Sequence, residues 1–170
     1  MDATALGALQ APLKERYRQH PEQAVVTLRA EGSLAEGIAC RVDTGRALVE
    51  AGLHPATGGD GTQVCSGDML LEALVACAGV TLRAVATAFG VTISQGTVRA
   101  EGDLDFRGTL GLDRECPVGF REIRLAFEVD SDADAELLRK VVAVTERYCV
   151  VLQTIRNGAA VATTVQTNAA

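Results

Sequence analysis

Tryptophan is absent from this 170-residue chain, histidine occurs twice and proline four times. His20 and His54 each stand beside a proline, far from one another in sequence. They do not give the ligand spacing of a zinc or iron site, and no Cys-x-x-Cys pair makes up for them. No metal is expected. Positive charge is also short. Sixteen Lys and Arg against 22 Asp and Glu leave a formal net charge of −6, which provides no basic face for nucleic-acid phosphates. No uninterrupted apolar run reaches the ~18 residues of a membrane span. Lys14, Arg16 and Arg18 follow the first apolar stretch, where a secretory signal would place them before it. The expected compartment is therefore a reducing cytoplasm. The glycines at 52, 58, 59, 61 and 67 match neither GxxxxGK[ST] nor a GxGxxG after a strand, so they read as a loop and not as a phosphate cradle.

What is present is enough apolar material for one core, 48% of residues. Leu6, Leu9, Leu13 and Tyr17 make a helical stripe over residues 3–19, closed by His20-Pro21. Residues 1–22 read as an N-terminal helical segment and 23–166 as the main domain. β-branched residues predict strands over 24–30, 38–43 and 46–50. Ser66 and Asp68 suit the start of a long helix running to Phe89 and ended by Gly90. That helix is apolar on nearly every side, so it should be buried on every side. Strands follow over 91–107 and 120–130. A second helix over 131–148 has Ser131 as its cap, and a final strand covers Val161 to Val165. Strands come in groups, which makes the class α+β, with the strands grouped around a buried central helix.

Five cysteines, an odd and widely spaced set, do not make a disulfide framework. Cys77 lies in Leu70-Leu71-Glu72-Ala73-Leu74-Val75-Ala76-Cys77, and Cys149 lies in Arg147-Tyr148-Cys149-Val150-Val151-Leu152. A thiol that cycles through a disulfide needs a second thiol to resolve it. The bland alternative makes each a small buried hydrophobe, sealed and inert. Glu72 and Arg83, eleven positions apart on the central helix, would be buried charges in need of partners. Cys65 is a loop cysteine or an alternative resolving thiol. Cys40 and Cys116 are structural or incidental.

These segments resemble the OsmC-like family, which includes the organic hydroperoxide resistance proteins. The Gly-rich loop, the helix around Cys77, Glu101-Gly102-Asp103-Leu104-Asp105, the run from Pro117 to Leu125 and the helix ending at Cys149 occur in the family's order. The resemblance covers roughly residues 24–165 and implies an OsmC-like fold in an interlocked homodimer, with each site at the interface. It implies thiol-dependent reduction of organic hydroperoxides without a bound cofactor. Cys77 would be the peroxidatic cysteine, forming a sulfenic acid. Cys149 would resolve it as an intramolecular disulfide, and a dithiol reductant would reopen that disulfide. The family's catalytic arginine comes from the early strands, where Arg41 and Arg29 are the candidates and Arg41 is preferred. The family's acid ten positions before the first cysteine falls on Gly67, so Asp68 is its substitute. Val150 stands where proline usually follows the second cysteine. The alternative to catalysis is a non-catalytic member that binds an apolar small molecule.

Overall fold

The computed structural model describes residues 2–5, 7–8, 10–11, 19–20, 31–34, 39–43 and 48–167, with 31–34, 39–43 and Leu48 described by their backbone. Residues 3–5, 7–8, 10–11 and 19 are helical. The strand expected over 24–30 and the boundary expected at 22/23 lie outside the described residues, as does Arg29. The elements are β1 (Glu31–Leu34), β2 (Ala39–Asp43), β3 (Leu48–Gly52), β4 (Val64–Cys65), α1 (Ser66–Ala88), β5 (Ile93–Asp103), α2 (Phe106–Thr109), β6 (Glu122–Ser131), α3 (Ala135–Tyr148) and α4 (Val150–Asn157). The grouping of strands bears out the α+β class.

The strands form two sheets, one in the order β1-β2-β3-β4 and a ribbon of β5 and β6. Residues 39–43 and 48–52 pair antiparallel, with Arg41 opposite Glu50. β1, which the sequence does not mark as a strand, pairs antiparallel to β2. The β5–β6 ribbon sets Val98 against Phe127, Ala100 against Leu125 and Gly102 against Ile123. This period-two row faces the helices, while charged residues such as Arg99, Glu101 and Arg124 are exposed. Gly102 is needed on the inner row, since a Cβ there would lie 2.5 Å from the Phe120 ring.

α1 starts one residue from the expected cap. β4 pairs in parallel with β3 through Cys65, which holds Cys65 extended. Cys65 therefore takes the N-cap position and Ser66 is already helical, with no side-chain capping bond. Asp68 lies in the first turn, as expected. The other end closes as the sequence indicates. Gly90 is left-handed at φ 69°, and the Val91 amide donates to the Ala86 carbonyl at 2.9 Å.

Within one chain α1 is not buried on every side. Leu74, Ala78, Leu82, Val85 and Ala86 are buried, while Leu70, Ala73, Ala76, Val80 and Arg83 form an exposed stripe three or four residues apart. Val80 is 73% exposed. Glu72 and Arg83, expected buried, are both exposed, and Arg83 donates to the Ile93 carbonyl at 2.7 Å. By length and composition α1 could cross a membrane, but its buried side packs against β5, α3 and α4 as a core helix does.

Two apolar clusters share α1. Leu82, Val85 and Ala86 pack with Val91, Ile93 and Val141 at one end. Leu74 and Ala78 pack with Cys149 and Leu152 at the other, over Val98, Ala100, Ile123 and Leu125. Ser131 does not cap α3. β6 runs on to Ser131, whose hydroxyl donates to the Thr92 carbonyl at 2.7 Å. Asp134 takes the cap instead and accepts from the Leu137 amide at 2.8 Å. The segment after Cys149 is the helix α4 (Val150–Asn157). The strand expected over Val161 to Val165 is absent in one chain. Residues 158–167 have no regular structure, and Val161 and Val165 are 85% and 87% exposed. A strand needs a neighbour for its backbone donors and acceptors, and the described residues provide none.

Candidate active site

Cys77 and Cys149, 72 residues apart in sequence, meet at the junction of α3 and α4. The junction is one residue long. Cys149 is extended at φ −71° and ψ 106°, and it ends α3 and begins α4 at once. Its amide donates to the Thr145 carbonyl and its carbonyl accepts from the Gln153 amide, each at 2.9 Å. The Gln153 side chain donates to the Glu146 carbonyl at 2.8 Å, and Arg156 pairs with the Glu146 carboxylate at 3.3 Å. These bonds fix the angle between the helices and so fix Cys149.

Leu74 and Ala78 of α1 press on Cys149 and Leu152 from the other side, which places Cys77 against the same cluster and against Val151. Cys149 is completely buried, and Cys77 is half-buried. Both are free thiols. Burial works against the Cys77 thiolate, but the nearby Val151 amide, Cys149 thiol, Thr81 hydroxyl and Val150 amide favour it. Together they hold Cys77 below the ordinary thiol range. Burial pushes the Cys149 thiol up, and the neighbouring Cys77 adds to this. The Leu152 and Val151 amides only partly offset it. One thiol is thus set up to ionise and its neighbour to stay protonated and donate.

The other expected site residues are not brought to this point within one chain. Asp68 is exposed on the first turn of α1. Nine residues separate it from Cys77, about 180° round the helix and about 13 Å along it. Asp68 lines a separate cavity of about 320 Å³ with His54, Cys65, Phe106 and Phe120. Arg41 sits at the middle of β2, and its side chain is outside the described residues. Among the described residues no arginine acts on Cys77. Nor is any group of three or more His, Cys, Asp or Glu there placed to hold a metal.

The sequence reading missed the Thr81 hydroxyl and the first amides of α4. The signal for Thr81 was its position one turn after Cys77, where a threonine reaches back along the helix. Also missed was a cavity of about 530 Å³ beside the cluster, with Leu70, Phe120, Ile123, Leu125, Leu152 and Ile155 among its lining and Arg121, Glu122, Glu146 and Arg156 at its polar parts.

Comparison with known proteins agrees with this architecture. Residues 59–164 match the sequence model of the OsmC-like proteins. No curated protein matches the sequence. Among solved structures, an OsmC-like protein from Mycoplasma pneumoniae superposes with a TM-score of 0.66 at 19% identity, covering 78% of this chain and 89% of that one. An organic hydroperoxide resistance protein OsmC from Legionella pneumophila gives 0.62 at 16% identity, covering 78% and 91%. The organic hydroperoxide resistance protein OhrB of Bacillus subtilis gives 0.53 at 18% identity, covering 78% and 93%. At these identities the likeness is one of fold.

Proposed function

Because the chain belongs to the OsmC-like family, we propose that it reduces organic hydroperoxides, with Cys77 as the attacking thiol and Cys149 as the resolving one. The observation that carries this reading is the packing of Cys77 and Cys149 into one cluster at the head of α4, with the Cys77 thiol shifted towards the thiolate and the Cys149 thiol away from it. The Cys77 thiolate attacks the outer oxygen of ROOH, and the O–O bond breaks. RO⁻ takes a proton and leaves as ROH, and Cys77 becomes a sulfenic acid. Cys149 then displaces water from that sulfenic acid and the disulfide forms. A dithiol reductant reopens it by exchange and is itself oxidised to a disulfide. No bound cofactor enters the cycle. The cytoplasm is the proposed compartment, since the cycle starts from reduced thiols.

Two chains would interlock as the working unit. The exposed apolar stripe of α1 and the unpaired, β-branched tail at Val161 and Val165 support this. Both are surfaces that a second copy would cover. Arg41 is the proposed cation of the site, reaching it from β2. Asp68 would enter a site only across such a dimer, given its place on the far side of α1.

Stopped-flow oxidation of the reduced protein by cumene hydroperoxide tests the reading. Wild type should react far faster than a free thiol, Cys77→Ser should not react, and Cys149→Ser should stop at a sulfenic acid. A wild-type rate equal to that of a free thiol would exclude the peroxidase.

One observation favours a second reading, non-catalytic binding of an apolar small molecule. The cavity of about 530 Å³ is the size of a ligand site and is lined by neither thiol. Binding of an apolar probe that is unaffected by Cys77→Ser, in a protein inert to peroxide, would establish it.

A further inference from the structure

We propose that the cavity at the start of α1 is a second thiol site, in which Cys65 adds to a neutral, flat conjugated carbonyl compound, an aryl enone, that Phe106 and Phe120 hold and His54 orients. The site is separate from the Cys77–Cys149 cluster. Cys65 and Cys77 are twelve residues apart along α1, about 18 Å by helical rise. Within one chain Cys65 is therefore out of reach as a resolving thiol for Cys77.

The cavity holds about 320 Å³, and separate parts of the chain wall it. Leu104 and Phe106 follow β5, Phe120 precedes β6, His54 follows β3, and Leu71 belongs to α1. Gly67 shows where the thiol stands. A Cβ built on Gly67 would lie 3.5 Å from the Phe120 ring, 3.6 Å from the Cys65 sulphur and 3.6 Å from Leu104. These are ordinary contact distances. Sulphur, ring and leucine thus surround one point, and it stays open because residue 67 has no side chain. The β3–β4 pairing of Gly52 with Cys65 holds Cys65 extended. Its thiol is free and half-buried, and it makes no capping bond to α1.

His54 supplies the polar contact. Its Nδ1 accepts from the Ala56 amide at 3.0 Å. An accepting Nδ1 carries no hydrogen, so the hydrogen of the ring is on Nε2. The imidazole stacks on Phe106, with centroids 5.0 Å apart and planes at 18°. Cap and stack together fix the ring. Its Nε2–H has no acceptor among the described residues, and it is left to donate to a carbonyl oxygen in the cavity.

The charges of the lining select against an anionic ligand. Asp68 and Asp103 are the carboxylates among the lining residues, and no lysine or arginine is with them among the described residues. Arg124 offsets Asp103 through two hydrogen bonds, at 2.5 and 2.9 Å. Asp68 is exposed and keeps its charge at the cavity. A ligand that carries a carboxylate meets like charge there.

The addition balances without a co-reactant. The Cys65 sulphur bonds to the β-carbon of the enone, and the electron pair of the C=C bond moves to the carbonyl oxygen as an enolate. The His54 Nε2–H stabilises that oxygen. The thiol proton ends on the α-carbon, nothing leaves, and the product is a thioether.

The test is the rate at which each cysteine of the reduced full-length protein is modified, read peptide by peptide by mass spectrometry. Phenyl vinyl ketone is the aromatic probe and acrylamide the ringless one. Cys116, also half-buried, is the internal control, and each rate is divided by that of glutathione with the same probe. Cys65 should exceed Cys116 about tenfold with phenyl vinyl ketone and lie within about threefold of it with acrylamide. The carboxylate probe 4-acryloylbenzoate should modify Cys65 about threefold more slowly than phenyl vinyl ketone does. His54→Asn keeps an acceptor for the Ala56 amide and removes Nε2, and it should slow Cys65 about fivefold. Gly67→Leu sends a side chain into the cavity. It should slow Cys65 about tenfold with phenyl vinyl ketone and leave Cys116 unchanged. Circular dichroism checks that each variant is folded. If a variant does not fold, the wild-type ratios decide. A Cys65 to Cys116 ratio that is the same for both probes overturns the proposal. So does an unchanged Cys65 rate in folded Gly67→Leu or His54→Asn. A Cys65 rate with the carboxylate probe equal to or above that with phenyl vinyl ketone overturns the preference for a neutral ligand. None of these rates involves peroxide, so this site and the peroxidase stand or fall separately.

Discussion

Leu74→Ala should weaken the fold and the thiol junction together. Leu74 is fully buried. It lies one turn before Cys77 and packs on Ala78, Cys149 and Leu152 over the β5–β6 ribbon. Replacing it by alanine removes three carbons and leaves a cavity enclosed by α1, α4 and the sheet. Because the surroundings are two helices and a paired ribbon, the gap can collapse only partly. The cost should fall near 3 kcal/mol, within the range of buried Leu→Ala changes. For a chain of this size that lowers Tm by roughly 6–12 °C, at two to four degrees per kcal/mol. Leu112→Ala is the control, since Leu112 is 75% exposed in a loop and should change Tm by less than about 2 °C. Thermal denaturation followed by circular dichroism reads both. Leu74 also presses the head of α4 towards Cys77, so disulfide formation after peroxide addition should slow in Leu74→Ala. A Leu74→Ala loss under about 1 kcal/mol, or a loss equal to that of Leu112→Ala, would refute the placing of the core at this junction.

Three further outcomes are expected. As pH rises towards 9 Cys77 should be alkylated first, because its pKa is lowered and its thiolate appears at lower pH, while the raised pKa of Cys149 delays that thiol; the reverse order in peptide mass spectra would contradict the assignment of roles. Asp134→Ala should cost about 1 kcal/mol by removing the bond to the Leu137 amide, measured by urea denaturation, and Asp134→Asn should recover most of it. Val80→Asp places a charge in the exposed apolar stripe of α1, and it should convert a dimer to a monomer in sedimentation equilibrium if a second copy covers that face.

Much of the architecture was legible because it is local. The alternation of Ile123, Leu125, Phe127 and Val129 marks a half-buried strand, and it is one. Gly90 and Val91 close α1 as a C-terminal glycine should. What failed depended on neighbours. The β4 pairing that keeps Cys65 extended involves residues of β3 far back in the loop, so Ser66 seemed the better cap. The run of β6 into Ser131 depends on Thr92, 39 residues away. The nearly all-apolar surface of α1 predicted burial on every side, yet Leu70, Ala73, Ala76, Val80 and Arg83 are exposed in one chain. The tail at Val161 and Val165 has strand composition, but among the described residues no strand pairs with it. The sequence singled out Cys77 and Cys149, and the fold packs them in one cluster. The one-residue junction at Cys149 was not legible, because it meets Cys77 only when α4 docks on α1.

The most direct test of the central claim is intact-mass and peptide mass spectrometry of the fully reduced protein after one equivalent of cumene hydroperoxide. Loss of two hydrogens, with a single disulfide joining the Cys77 and Cys149 peptides and one equivalent of alcohol released, is the expected result. Unmodified thiols, or oxygen added at Cys65 or Cys116 with Cys77 and Cys149 left reduced, would contradict it.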